Sequence, residues 1–413
     1  MAFGKVIDAA NAVAIIQSGD TLATNGYGGN GVPEALLTAL EARFVEDGNP
    51  RDLTLVFAGG QGDTGERGLS HLGHEGLVRR TVGGHYGLMP SISQLAIEEK
   101  IEAYNFPEGA LVHLYRDIAA GNAGTLSKVG LGTFVDPRLE GGKVNAAATE
   151  DLVELVELAG EEWLFYKAFP IDVAFIRGTT ADADGNITME REPLTLENLS
   201  LAIAAKTSGG YVICQVERVA ETGSLDSRKI KVPGVLVDAV VVAPPDQHTQ
   251  TWSTPYNPSL SGEIRTPLEL EPTMPLTDRK VIARRAAMEL STDSVVNVGL
   301  GLPETVGSIV GEERVQDLVT MTVDPGVFGG VPLGGGDFGA SLNPEAVIDH
   351  GYAFDFIDGG GLDTVFLGVG QADRHGNVNV SRFAGRLAGC GGFINLTQGS
   401  KRVVFMTGFT AGG

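Results

Sequence analysis

Residues 172–189 and 363–380 align without a gap, DVAFIRGTTADADGNITM on DTVFLGVGQADRHGNVNV, and this internal repeat constrains the fold more than any other feature of the chain. Each copy is an apolar run, then Ala-Asp-x-x-Gly-Asn, then a second short β-prone run. The same offset lays Tyr211-Val-Ile-Cys-Gln215 on Arg402-Val-Val-Phe-Met406. A weaker match joins Asp20, Gly28 and Val32-Pro33-Glu34 to Asp293, Gly299 and Leu302-Pro303-Glu304 at a larger offset, so the first copy carries extra residues in its middle. Self-similarity on this scale means a duplicated structural unit.

Strand-like runs alternate with helical stretches at 33–45, 196–206, 278–290 and 303–312. That alternation predicts two related α/β domains with open, largely parallel sheets. Between them, residues 244–276 hold Pro244, Pro245, Pro255, Pro258, Pro267, Pro272 and Pro275. Proline has no N–H to give to a helix or a central strand, so an extended linker is expected there. The domains are placed at 1–243 and 277–413, with the active site between them at the carboxyl ends of strands. After Val219 the first half runs on through Lys229–Val242, whereas the second stops at Gly413 without a counterpart, which reads as an early end or as a fragment.

Composition narrows the function. Glycine accounts for 58 of 413 residues, about twice the usual share of roughly 7%, without a collagen period; at strand ends it lets a backbone approach a ligand closely. A net charge of −22 disfavours nucleic acid or an anionic membrane as partner. Two cysteines, Cys214 and Cys390, form no disulfide framework, so a reducing cytoplasm is expected. The N-terminus lacks a basic signal-like region, residues 9–16 read as an amphipathic helix, and no apolar run approaches a membrane span.

Several motifs invite chemistry and lose to simpler readings. Gly26-Tyr-Gly28-Gly-Asn-Gly31 matches a dinucleotide fingerprint, but the next strand ends in Gly59-Gly60 where an acidic residue is needed, which leaves a tight strand-to-helix turn. Asp182-Ala-Asp184-Gly185 has its glycine too early for a calcium loop, and a Gly-Asn turn explains both copies of it. His71 and His74, with His85 nearby, have a spacing a metal could use, yet no cysteine pair supports them and a polar loop is the plainer reading. Cys390 has no basic neighbour in sequence to make a thiolate, and there is no G-x-S-x-G.

The informative stretch runs from Leu318 to Phe338. A buried strand delivers Asp324 at its carboxyl end, followed by Pro325-Gly326, Gly329-Gly330 and Gly334-Gly335-Gly336. A second glycine loop is Gly389-Cys390-Gly391-Gly392-Phe393. Free N–H groups in such loops can stabilise an oxyanion, and a carboxylate beside them suits nucleophilic attack on an acyl group or activation of water. The competing reading is an Asx-Pro-Gly turn that merely ends a strand.

Long strings then carry a resemblance: Ile101-Glu-Ala-Tyr-Asn-Phe-Pro107, Lys128–Arg138, Ala168–Asp172, Gly329–Pro332, Phe354–Gly361, Gly376–Ser381 and Phe409–Gly413. The chain resembles the family I CoA-transferases of the single-chain propionate/acetate type, two fused copies of one α/β domain whose members continue past this point. The resemblance implies that a carboxylate attacks an acyl-CoA, that CoA returns to give an enzyme thioester, and that an acceptor acid reverses the steps. It implies coenzyme A as substrate, no metal or organic cofactor, and a homo-oligomer, dimer or tetramer. It puts the CoA thiol end near Asp324 and an acceptor pocket around Gly28, Gly84, His85, Asn105 and Gly109; Lys401 and Arg402 are candidates for the CoA phosphates by proximity in sequence alone.

Two positions depart from the family pattern. Its glutamate nucleophile falls on Asp324, one methylene shorter, and its Tyr-Asn-x-Pro-Gln-Gly segment reads Tyr104-Asn-Phe-Pro-Glu108-Gly109. A glutamine amide donates to an oxyanion; a glutamate does so only when protonated. If both carboxyls share a pocket, they should titrate as a coupled pair. Three chemistries follow: CoA transfer through Asp324, acyl-CoA hydrolysis, or C–C bond hydrolysis of a β-keto acyl-CoA with Glu108 and Asp324 activating water. A non-catalytic acyl-CoA-binding subunit is the reading outside enzymology.

Overall fold

The structure, a computed structural model, describes residues 4–267 and 273–408; Pro272 and the string Phe409–Gly413 lie outside them. Seven strands form the first sheet: β1 (Thr21–Thr24), β2 (Leu53–Phe57), β3 (Val78–Gly83), β4 (Glu102–Asn105), β5 (Val173–Arg177), β6 (Tyr211–Val216) and β7 (Ala239–Val242). They lie in the order β7-β6-β5-β1-β2-β3-β4, with every neighbouring pair parallel. A parallel sheet is covered on both faces, so its central strands are buried along their length: β5 is buried at all five positions, while β3 and β4 towards the edge carry Arg79, Arg80 and Glu102 at their starts. The covering helices are α1 (Ala9–Val13), α2 (Glu34–Asp47), α3 (Pro90–Ile97), α4 (Glu108–Ala119) and α5 (Asn198–Thr207).

The second sheet contains β8 (Ser294–Val298), β9 (Val319–Val323), β10 (Val327–Phe328), β11 (Ala346–Val347), β12 (Thr364–Gly368) and β13 (Val403–Met406), in the order β11-β10-β9-β8-β12-β13. Strands β9, β8, β12 and β13 run parallel, while β10 pairs antiparallel on both sides. Its helices are α6 (Asp278–Ala287), α7 (Thr305–Glu312), α8 (His350–Asp358) and α9 (Phe393–Gly399). The chain is therefore two α/β domains with largely parallel sheets. Among the described residues no helix is long and apolar enough to cross a membrane.

The repeat is visible atom by atom. Asp172 Oδ2 accepts the Thr21 N–H (2.8 Å) and Asp363 Oδ2 accepts the Val295 N–H (2.9 Å), each tying the start of one central strand to its neighbour. In the paired hairpins Asp182 Oδ1 accepts the N–H groups of Asp184 and Asn186, and Asp373 Oδ1 accepts those of His375 and Asn377. The Ala-Asp-x-x-Gly-Asn string is thus an Asx-type turn between strands in both copies. Part of the extra length of the first copy is an antiparallel sheet of Gly124–Ser127, Glu161–Lys167 and Val153–Leu158.

The proline-rich segment differs from a free extended linker. It opens with a 3-10 turn at Pro245–Gln247, which proline tolerates because first-turn N–H groups have no partner to lose. It then packs as a strap. Arg177 donates to Thr249 O (2.7 Å), Trp252 Nε1–H donates to Gly62 O (2.9 Å) beneath the Arg67 guanidinium, and Thr251 Oγ1 bonds Asp337. The two domains also share core: Tyr27, Leu194 and Leu196 pack with Val323, Val327 and Phe338.

Candidate active site

The carboxyl ends of both sheets meet around one cavity of about 230 Å³. From the first domain come Tyr27 and Gly28 after β1, Gly60 after β2, His85 and Leu88 after β3, and Glu108 at the start of α4. From the second come Gly299 and Leu300 after β8, Asp324 after β9, Leu367 and Gly368 at the end of β12, and the loop 388–393. Both carboxyls are deeply buried, Asp324 at 5% and Glu108 at 2% exposure. Burial pushes the Asp324 pKa up to about 7, the Glu108 charge adds to the rise, and the Asn297 amide and the His350 imidazolium oppose it. Its Oδ1 makes no hydrogen bond within the protein.

The glycine loop approaches Asp324 as closely as a backbone can. A Cβ on Gly392 would stand 2.5 Å from Asp324 Oδ2, so any larger residue there must displace the carboxylate. Four of the five amides from 389 to 393 are already committed: Gly389 to Ser381 O, Cys390 to Asn105 Oδ1, Gly391 to Gly84 O and Phe393 to Cys390 O. Of these five amides the Gly392 N–H is the one left for a ligand. Gly84 and Asn105 thus act behind the cavity, since Asn105 Nδ2 also donates to Gly83 O and Gly84 O. Gly109 donates its N–H to Asn395 Oδ1 (3.2 Å), joining α4 to α9.

His85 lines the cavity half-buried, and burial lowers its pKa to about 4, so it is neutral at pH 7. Burial likewise holds the Cys390 thiol protonated, far above its usual range. Gly329 and Gly330 sit elsewhere, in the turn from β10 to Val331-Pro332, with φ of 74° and 73°; the Gly329 N–H is spent on Met321 O. Lys401 and Arg402 pair with Asp363 and Glu289 near β13 and do not line the cavity. His71 bridges Glu34 and Glu41, and His74 bonds Glu41. No group of three or more potential ligands is placed to hold a metal among the described residues.

Sequence reasoning missed His350 and Glu197. His350, the first residue of α8, is 0% exposed, with Nδ1 2.8 Å from Glu197 Oε2 and Nε2 3.3 Å from Glu108 Oε1. A single histidine in a loop-to-helix junction carries no sequence signal for such a role.

The coenzyme A transferase family profile matches residues 6–243. A caffeate CoA-transferase of Acetobacterium woodii is 49% identical over 98% of this chain and 79% of its own length. The acetate CoA-transferase YdiF of Escherichia coli K12 is 42% identical over 98% of this chain and 77% of its own. The chain belongs to the family I coenzyme A transferases. The crystal structure of the E. coli O157:H7 acyl-CoA transferase YdiF as a thioester complex with CoA superposes with a TM-score of 0.91 at 39% identity, over 98% of this chain and 80% of that one. The transferase moves CoA between an acyl-CoA and a carboxylic acid, with coenzyme A as a substrate.

Proposed function

We propose that Asp324 is the nucleophile of this transferase, with a short-chain acyl-CoA and a small carboxylic acid as substrates. The observation that carries the reading is its place: a buried carboxylate at the carboxyl end of β9, in a cavity shared by both domains, beside the free Gly392 N–H. The Asp324 carboxylate attacks the thioester carbonyl, and the oxyanion is met by the Gly392 N–H and the Glu108 carboxyl. Collapse breaks the C–S bond and leaves a mixed anhydride and a CoA thiolate. The thiolate attacks the Asp324 carbonyl, freeing the acid and leaving an aspartyl-CoA thioester. An acceptor carboxylate then runs both steps backwards. Apolar walls from Tyr27, Leu88, Leu300, Phe338 and Phe393 suit an acyl chain; the named acids of the two relatives, acetate and caffeate, are the acceptors to try first.

The decisive experiment incubates the enzyme with propionyl-CoA and weighs the intact protein. A mass gain of one CoA less one water mapped to Asp324, absent in Asp324→Asn, supports the nucleophile. Release of thiol without any adduct or acceptor assigns Asp324 as a base for water instead, the reading that a carboxyl poised near pH 7 favours. Within the proposal, the domains span 1–243 and 277–413 around the 244–276 proline-rich linker, the first shaping the acceptor side and the second the CoA side. The homo-oligomer and the cytoplasmic setting belong to it too, read by light scattering and by fractionation.

A further inference from the structure

We propose that His350 is a positioning residue of the transfer reaction, handing a proton from Nε2 to Glu108 so that Glu108 can donate to the oxyanion in the place of an amide. The inference rests on the reading of Glu108 given above. Its ground is a buried Glu–His–Glu row assembled from both domains: Glu197 and Glu108 from the first, His350 from the second, all at 2% exposure or less. A neutral imidazole has one N–H, and with a carboxylate opposite each nitrogen it leaves one pair facing lone pair to lone pair. Only the imidazolium serves both. Burial pulls its pKa down, but the two carboxylates outweigh burial and raise it to about 10.

The two contacts differ. Nδ1 is hydrogen-bonded to Glu197, which aims Nε2 at Glu108. Nε2 and Glu108 Oε1 stand 3.3 Å apart, a looser ion pair than the Glu197 contact, and neither atom has another hydrogen-bond partner. The proton on Nε2 is aimed at Glu108 and held there by a longer contact than the one on the Glu197 side. When Asp324 attacks, its negative charge moves to the carbonyl oxygen; one proton passes from Nε2 to the Glu108 carboxylate, leaving a neutral imidazole with its Nδ1–H on Glu197. Collapse of the oxyanion returns that proton, so none is consumed over the cycle.

The other groups around the imidazole are few. Asp324 faces it from the end of β9, Tyr27 stands edge-on at 6.2 Å, and Phe354 of its own helix lies at 5.2 Å. Asp349 precedes it, while His113 and Arg116 of α4 meet the next residue, Gly351, and Tyr115 stands on the Glu197 side. Glu197 also lines a separate groove of about 330 Å³ between α4, α5 and α8.

The test is a double-mutant cycle on kcat with pH profiles. His350→Gln is expected to slow transfer about tenfold more in the wild-type background than in the Glu108→Gln background, because an amide needs no proton delivered. KM for the acyl-CoA is expected to stay within about twofold. Equal losses in both backgrounds make His350 a packing residue and overturn the proposal. An inactive Glu108→Gln enzyme beside an active His350→Gln enzyme removes the Glu108 donor itself, a failure of the earlier reading that is distinguishable from this one. Should His350→Gln fold poorly by thermal melting, Glu197→Gln serves: losing one of two carboxylates lowers the imidazolium pKa, so the alkaline limb of kcat moves to lower pH. An unmoved limb overturns the inference.

Discussion

At the Gly392–Asp324 contact the proposed chemistry depends on a missing methyl group. Gly392 has φ of −79°, open to any residue, so Gly392→Ala adds no backbone strain; its Cβ falls 2.5 Å from Asp324 Oδ2. The expected outcome is a fall in kcat of about a hundredfold, the scale of a displacement near 1 Å, with the melting temperature little changed. Asp324 also makes a pH statement. The fold raises its pKa from 3.8 to about 7, so it favours the neutral acid; that contribution to stability is full below about pH 4 and lost as pH rises through 7. Asp324→Asn is therefore expected to melt with the wild type at pH 4 and above it at pH 8, by up to roughly 4 kcal/mol. Attack by Asp324 as proposed needs the carboxylate, so kcat/KM should climb with pH to a plateau above about 7.

Among elements, the decisive junction is that of α4 with α9. Glu108 opens α4 and its N–H binds Gly391 O (2.9 Å), while Asn395 of α9 accepts from Gly109 and donates to Asp358. Both helix starts thereby hold the two sides of the cavity in register. Burial raises the Asp358 carboxyl to about 7, with the Asn395 hydrogen bond working against it. Asn395→Ala leaves the buried Gly109 N–H unpaired, at a cost of about 1–3 kcal/mol, and takes the amide donor from the half-buried Asp358 carboxyl. We expect a lower unfolding midpoint in urea together with a reduced kcat, since Glu108 loses its support.

The whole molecule carries a net charge of −22, and its substrate carries the negative phosphates of CoA. No lysine or arginine lines the cavity among the described residues. Like charges slow encounter, and salt screens them over about 10 Å at 0.1 M. The kcat/KM for acyl-CoA is therefore expected to rise between low and moderate ionic strength, read by stopped-flow or initial rates. A fall with salt would point to a basic CoA site outside the cavity.

Much of this was legible in one dimension. The duplicated Ala-Asp-x-x-Gly-Asn string declared two copies of one unit because a turn is a local structure, written in adjacent residues. The alternation of apolar runs and helical stretches declared parallel sheets for the same reason, and Asp324 and the 389–393 loop were visible as a carboxylate and glycines at strand ends. The meeting of Glu108 with His350 and Glu197 was not, since 242 residues of chain separate Glu108 from His350 and only the packing of α8 against α4 brings them together. Nor could the sequence tell which amides of the loop remain free, or that the proline strap packs rather than dangles. Hydrogen-bond partners and burial are decided by neighbours distant in sequence. Pattern determined the elements and the carboxylate; the closure of two domains on each other decided its charge, its partners and its reach.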